Sequence, residues 1–353
     1  MAKRVVIIGL GLMVFLGYLG RHKIKSFFWG APKRTANSKE VKLLLREEPS
    51  FVELCSILIE KGVLSDESSV SDIPGKETLE NQEFAAGKFI VLPGTRIENL
   101  MNAFLKGENG HGNAEVKVNV VFNNCTDIQD VGANISKCIL ADSASLVDYI
   151  LDSKTLKKYG FTEEQVPALF LPQKYEMYFD TDAEEFVAFM ANEWKAFWNE
   201  DRREKLKKVG LNSPSQATTL ASIMIQEQSR YPEEWPTIAK LYLNRIERGI
   251  PLEADPTFKF CWPDRLKGVE HLLNVHRDRD CPYNTYLHAG LPPGPICLPS
   301  RKAIEAVLNP ADVDYIFLCG DGTGHHNFAS TNSEHNKNVA IYRKWLREYE
   351  KTH

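Results

Sequence analysis

The chain has 353 residues, with 43 Lys and Arg against 47 Asp and Glu; that near-balance excludes the basic face of a nucleic-acid binder. Its 43% hydrophobic content excludes a largely disordered chain, and the length allows two or three domains. Seven cysteines (Cys55, Cys125, Cys138, Cys261, Cys281, Cys297 and Cys319) are scattered without C-x-x-C spacing, so they supply neither a zinc motif nor a complete disulfide framework.

Lys3 and Arg4 precede an apolar run from Val5 to Gly20, and Arg21, His22 and Lys23 follow it. Sixteen helical residues cover about 24 Å, slightly short of a roughly 30 Å hydrocarbon core. Snorkelling of the flanking bases, with Tyr18, Phe27, Phe28 and Trp29 at the interface, makes up the difference. No A-x-A cleavage site follows. Residues 1–29 therefore read as an uncleaved single-pass anchor with a cytoplasmic amino terminus, and residues 30–39 as a polar tether.

Residues 40–112 read as a small module. A short strand leads into a helix with Phe51, Leu54, Cys55, Leu58 and Ile59 on one stripe and Gly62 at its end. A second strand around Lys88 to Leu92, a Pro-Gly turn, and a helix carrying Ile97, Leu100, Met101 and Phe104 complete two strands and two helices.

Residues 113–353 form the remaining domain, mixed α+β in class. The run EVKVNVVF from Glu115 alternates as a half-buried strand. A helix begins near Thr126 with Ile128, Val131, Ile135 and Ile139, and a short one holds Leu146 and Tyr149. Asp182 and Glu185 form a capping box. The helix they open has an aromatic stripe, Phe186, Phe189, Met190, Trp194, Phe197 and Trp198, which reads as packing.

Ser213, Pro214 and Gln216 predict the start of another helix through an S-x-x-Q capping box. Leu220, Ile223, Met224 and Glu227 fall at i, i+3, i+4 and i+7, which places a carboxylate on an apolar stripe. Spacing alone leaves two readings: a desolvated general acid of raised pKa, or a helix end turned to water. A second helix carries Ala239, Tyr242, Leu243 and Ile246 and ends at Gly249. Three loop-like runs follow, PLEADPTFKF, PYNTYLHAGLPPGPICLPS and GDGTGHHNFASTNSEHN, which serve as connections or as a binding rim. Arg301 to Leu308 reads as a helix and Tyr315 to Cys319 as a buried strand. Cys261 and Cys281 flank one loop and can pair in an oxidising compartment; the other cysteines read as small buried hydrophobes.

The ordered segments TLASIMIQEQ, IAKLYLNRIERGIPLEADPTFKF, PYNTYLHAGLPPGPI, AIEAVLNP and HHNFASTNSEHN resemble the membrane-bound endolytic murein transglycosylases, the MltG or YceG-like family. The resemblance extends more weakly through VNVVFNN, FLPQKYEMYFDT and GKFIVLPGTRIENLMNAFLKG. It implies a LysM-like amino-terminal module and a carboxy-terminal catalytic domain acting on peptidoglycan strands on the periplasmic or extracytoplasmic side of the inner membrane, with synthases as candidate partners and no cofactor.

The resemblance also implies that Glu227 occupies the place of the catalytic glutamate. Two positions depart from the family pattern: Ile225 stands where a further acid is usual, and Glu253 where a Gln is usual, which makes Glu253 a rival carboxylate. His326, Asn327, His335 and Asn336 are implied as rim or supporting groups. His325, His326 and His335 do not have the spacing of a helical ligand pair such as H-E-x-x-H, so no metal is expected there.

Asn284, Thr285 and Tyr286 are candidate sugar-binding groups, or members of a hydrogen-bonded turn, on a loop stiffened by Pro292 to Pro295. Asp255 is a candidate of the same rim or an Asx-type loop cap. Asn244 and Arg245 share a helix, where Arg245 orients a carboxylate or forms a surface ion pair. A catalytically silent, strand-binding scaffold is the rival functional class.

Overall fold

The computed structural model describes residues 33–262 and 280–352, except 67, 68, 70, 72 and 74. The expected anchor lies outside the described residues, among which no helix is long and apolar enough to cross a membrane. The chain forms two units: the first takes residues up to Val118 and again Tyr178–Asp180, the second Asn119–Met177 and Thr181–His353. The boundary after residue 112 expected from sequence thus falls later, and the chain revisits the first unit once.

In the first unit β1 (Val41–Leu45) and β2 (Gly87–Val91) pair antiparallel, with Leu43 opposite Phe89. Alternate residues Leu43, Leu45, Phe89 and Val91 enter the core, as a strand period of two requires. They meet α1 (Phe51–Glu60), which opens with a full capping box between Ser50 and Glu53, and α3 (Ile97–Phe104), which buries Ile97, Leu100, Met101 and Phe104. A short helix, α2 (Lys76–Leu79), was not expected. The expected tether is also partly built in. Thr35 N–H donates to Thr95 O at 2.8 Å and Ala36 N–H to Val63 O at 2.8 Å, so those residues belong to the module.

The second unit is mostly helical. β3 (Val118–Val121) pairs with β4 (Lys174–Met177), and α4 (Ile128–Ile135), α5 (Ser143–Leu151) and α6 (Ser153–Tyr159) lie between them in sequence. β3 is shorter than the alternating run, because Glu115 to Lys117 lie outside the strand. The capping box predicted for α7 (Ala183–Phe197) is present. α8 (Glu200–Lys208) has almost no apolar residue; only Leu206 is buried.

The central element is α9 (Pro214–Glu227), with Ala217, Leu220, Ala221, Ile223 and Met224 all buried together with Ser215, Thr218, Thr219 and Ser222. A helix buried this completely must satisfy its hydroxyls internally. Thr218 and Thr219 donate back to Pro214 O and Ser215 O at 3.0 and 2.8 Å. The Ser213 hydroxyl accepts from Gln216 N–H as expected, but the Gln216 side chain accepts from Asn212 N–H instead of closing the box on Ser213.

Around α9 pack α10 (Trp235–Glu247) and α12 (Arg301–Leu308). Three further elements lie in runs that read as loops or that no pattern marked: α11 (Asp255–Phe260), β6 (His326–Ala329) and α13 (Asn332–Thr352). β6 pairs antiparallel with β5 (Phe317–Gly320), which is half-buried rather than buried.

The Pro-rich segment is fixed to α9 from inside: Ile296 N–H donates to the Ser222 hydroxyl at 3.0 Å. It also passes so near Glu164 that a Cβ on Gly294 would lie 1.8 Å from Glu164 O. Gly294→Ala is therefore expected to lower the unfolding free energy by about 1–3 kcal/mol through overpacking, measured by urea denaturation with an unchanged m-value.

Candidate active site

Glu227 ends α9, and its carboxyl forms part of the wall of a cavity of about 380 Å³ in the second unit. Tyr242 and Arg245 from α10, Glu253, Asp255, Tyr286, Phe317, His326 and His335 also line it. The Glu227 Oε2 atom is closed off from solvent and has no hydrogen-bond partner. Burial pushes the carboxyl up to about 7; Asp255 adds to the rise, while His326, Tyr242 and Lys259 oppose it. Of the two sequence readings, the desolvated carboxyl is the one the structure contains.

The other carboxylates nearby are engaged. Glu253 Oε2 accepts from Arg245 at 2.6 Å, and Asp255 Oδ1 accepts from the Tyr286 hydroxyl at 2.5 Å. Glu234, just before α10, accepts from His326 Nδ1 at 2.7 Å, from His326 N–H at 3.1 Å and from Gln228 Nε2 at 2.9 Å, with His325 Nδ1 3.0 Å away. Burial pushes Glu234 up, but these hydrogen bonds outweigh it and hold the carboxyl below its ordinary range. With Nδ1 bound to Glu234, the His326 ring is fixed at the cavity wall. Gln228 braces the same corner: its carbonyl side accepts from Arg230 and Tyr231 N–H, and its main-chain oxygen accepts from Trp235 Nε1 at 2.7 Å.

Arg245 is no surface ion pair. Its side chain is 7% exposed; beyond Glu253 it donates to Pro251 O and Ile316 O, each at 2.8 Å. Glu253 itself has a positive φ of 53°, a conformation costly for a residue with a Cβ, and the Arg245 bond helps to hold it there. His335 stacks on Phe317 with centroids 4.9 Å apart; burial lowers its pKa, Arg245 lowers it further and Glu253 opposes.

Several sequence candidates have other duties. Asn244 is buried and donates to Val313 O and Tyr315 O at 3.1 and 3.0 Å, so its amide anchors the approach to β5. Thr285 is buried with its hydroxyl accepting from Ala254 N–H, and Asn284, also buried, accepts from Tyr286 N–H. Both hold Tyr286 and Asp255 in register instead of lining the cavity. Asp255 is the first residue of α11, not a loop cap. Asn327 sits in β6 opposite Cys319, and Asn336 is exposed on α13; neither is on the cavity wall. Cys261, which follows α11, forms a disulfide with Cys281.

Ile225, the apolar departure, packs against the core and lines a different pocket with Gln226, Ser229 and Trp235. It faces away from Glu227 because positions two apart on a helix diverge. Sequence patterning did not single out Glu234 or Gln228, whose partners in the Gly324–His326 segment lie 91 to 98 positions away, and it read Tyr242 only as packing.

The YceG-like family model matches residues 44–341. The chain belongs to the YceG-like family. Among its relatives, the endolytic murein transglycosylase of Bacillus subtilis (strain 168) is 31% identical over 159 residues, 45% of this chain and 42% of that protein. The protein of the same name from Streptococcus pneumoniae serotype 2 (strain D39) is 31% identical over 125 residues, 35% of this chain and 22% of that one. The matches thus span less than half the length of these relatives. A crystal structure of a YceG-like protein from Listeria monocytogenes superposes with a TM-score of 0.52 at 20% identity, covering 85% of this chain and 99% of that one; it has the same fold.

The raised pKa of Glu227 carries a cost that depends on pH. Its ordinary value is 4.5 and its value in the fold about 7, so folding favours the protonated form. That contribution is complete below 4.5 and is lost as pH rises through 7. Glu227→Gln is expected to raise the unfolding free energy by roughly 1–3 kcal/mol at about pH 8, discounted for water in the cavity, with the gain disappearing in acid. Denaturant titrations across that range measure it.

Proposed function

We propose that this protein is an endolytic lytic transglycosylase of peptidoglycan. It cuts the β-1,4 bond between N-acetylmuramic acid and N-acetylglucosamine within nascent strands and leaves a 1,6-anhydro-muramic end, which terminates elongation. The observation that carries the reading is a buried carboxyl at the cavity wall whose Oε2 has no hydrogen-bond partner, while Glu253 and Asp255 on the same wall are held by Arg245 and Tyr286 and nearby Glu234 by the histidine pair. Hydrolases that attack with water use two carboxylates flanking the bond; a reaction whose nucleophile is the substrate's own hydroxyl needs one.

In this mechanism protonated Glu227 donates to the glycosidic oxygen as the bond to the muramic anomeric carbon breaks. The resulting carboxylate takes the proton of the muramic 6-hydroxyl, whose oxygen bonds to that carbon and closes the ring. Glu227 ends protonated, ready for another cycle. A pKa near 7 suits a group that must give and take a proton at neutral pH. His326, held by Glu234, favours the charged form of the carboxyl and Asp255 the protonated one.

The reading includes a LysM-like role for the first unit in strand binding, an amino-terminal anchor in the inner membrane, a catalytic unit on its extracytoplasmic side, and synthases as neighbours. Ile225, the departure from the family's acidic pattern that favours a silent scaffold, lines a different pocket from Glu227.

Digestion of purified glycan strands followed by mass spectrometry tests the proposal. The native protein is expected to give anhydro-muramic ends, Glu227→Gln to lower their rate by about 10³-fold or more, and Glu253→Gln to retain cleavage. Reducing ends, or binding without any cleavage, would sink it. The rate should fall as pH rises above about 7, where the acid form is depleted.

A further variant addresses the histidine corner. Glu234→Ala is expected to reduce kcat roughly tenfold with little change in KM, because it frees His326 beside the acid without touching the sugar subsites. A change confined to KM would place Glu234 in strand binding instead.

A further inference from the structure

The first unit contains a second cluster of ionisable side chains. His111 and Glu115 lie four apart in the turn after α3, and Asp180 comes from the segment that rejoins the unit. His111 Nδ1 is 2.6 Å from Asp180 Oδ1 and 3.7 Å from Glu115 Oε2. The three ligand atoms fall within 4.8 Å of one another.

The turn is constructed to hold them. Gly107 N–H donates to His111 O at 2.8 Å, and Lys106 bridges to Gly112, which fixes the His111 backbone. The Tyr178 ring lies against the imidazole at 4.1 Å between centroids. Glu115 Oε1 accepts from Phe179 N–H at 3.1 Å, which aims the other oxygen into the cluster. A Cβ on Gly87 would come within 2.4 Å of the Glu115 carboxyl carbon, so the strand leaves room for this carboxyl by carrying no side chain there.

The Glu115 side chain is 0% exposed, yet its Oε2 has no hydrogen-bond partner. A buried carboxylate oxygen without a partner is costly. A cation between the three groups would satisfy the orphaned oxygen and offset the repulsion between the two carboxylates.

We propose that His111, Glu115 and Asp180 form a binding site for one divalent transition-metal ion, with zinc the best match. One imidazole nitrogen and two carboxylate oxygens are ligands of the type zinc takes, whereas calcium and magnesium favour oxygen alone. Binding replaces the hydrogen bond between His111 Nδ1 and Asp180 by two metal bonds, the proton between them leaving to solvent, and water completes the coordination. The ion joins two stretches of the first unit that lie 69 positions apart in sequence, and so stabilises that unit. It takes no part in the chemistry at Glu227, and the site stands whether or not the transglycosylase reading holds.

Zinc binding to the full-length chain in detergent, stripped with chelator beforehand, is the test. Titration calorimetry is expected to show one Zn2+ per chain at a dissociation constant of about 1 μM or tighter. The near-isosteric Asp180→Asn and Glu115→Gln should each weaken it by roughly 100-fold. Zn2+ should raise the melting temperature of the native chain but not of the variants.

X-ray absorption of the zinc form is expected to give one imidazole nitrogen with oxygen ligands, which reads the site even where a variant fails to fold. Absence of stoichiometric binding overturns the proposal. So does a site with sulfur or several imidazoles, or binding that both folded variants retain.

Discussion

The cavity is held together by the Arg245 guanidinium, which binds Pro251 O, Ile316 O and the Glu253 carboxylate at once. Those partners come from the turn after α10, from the lead into β5, and from the strained residue ahead of α11. A buried guanidinium tolerates its loss of hydration only when its donors are used, so the three pieces of chain cannot separate without exposing an unpaired charge. The wall that faces Glu227 is therefore a product of one side chain's need for partners, and Asn244 beside it extends the same hold to Val313 and Tyr315.

Within that frame the acids are sorted by environment. Asp255, Glu253 and Glu234 each have a donor, and Glu227 Oε2 has none. Four similar side chains thus acquire different chemistry from their neighbours alone. The mostly buried helix α9 brings the Glu227 carboxyl to the wall, and its internally bonded hydroxyls allow a polar sequence to do so without unmet donors.

Much of this was legible in the amino-acid order. Helices with an apolar stripe and a side-chain cap, such as α1 and α7, stand where periodicity put them, as does the uncapped α3, because local pattern and tertiary burial agree. α8 and α13 escaped because an apolar stripe was the cue and theirs is sparse or interrupted. α11 and β6 lay in runs whose Pro, Gly and Asn content reads as loop. Glu227 could be located by spacing and by the family motifs, but not its partners: the contacts of Glu234 and Arg245 are made across the fold, where no periodicity reaches. For Asn284 and Thr285 the sequence leaves sugar ligand and hydrogen-bonded turn open, because polar side chains near a site look alike in sequence, whether they face the ligand or the scaffold; in the structure both are buried and bonded within the loop.

The bridge between Cys261 and Cys281 shortens the covalent path between two residues of the cavity wall. Asp255 and Tyr286 bond to each other across 31 positions, but the disulfide links them through the two short stretches Asp255–Cys261 and Cys281–Tyr286. Reducing the bridge returns that pair to a tie of the full 31 positions, so the disulfide, and not the intervening chain, sets the loop-closure cost of the contact.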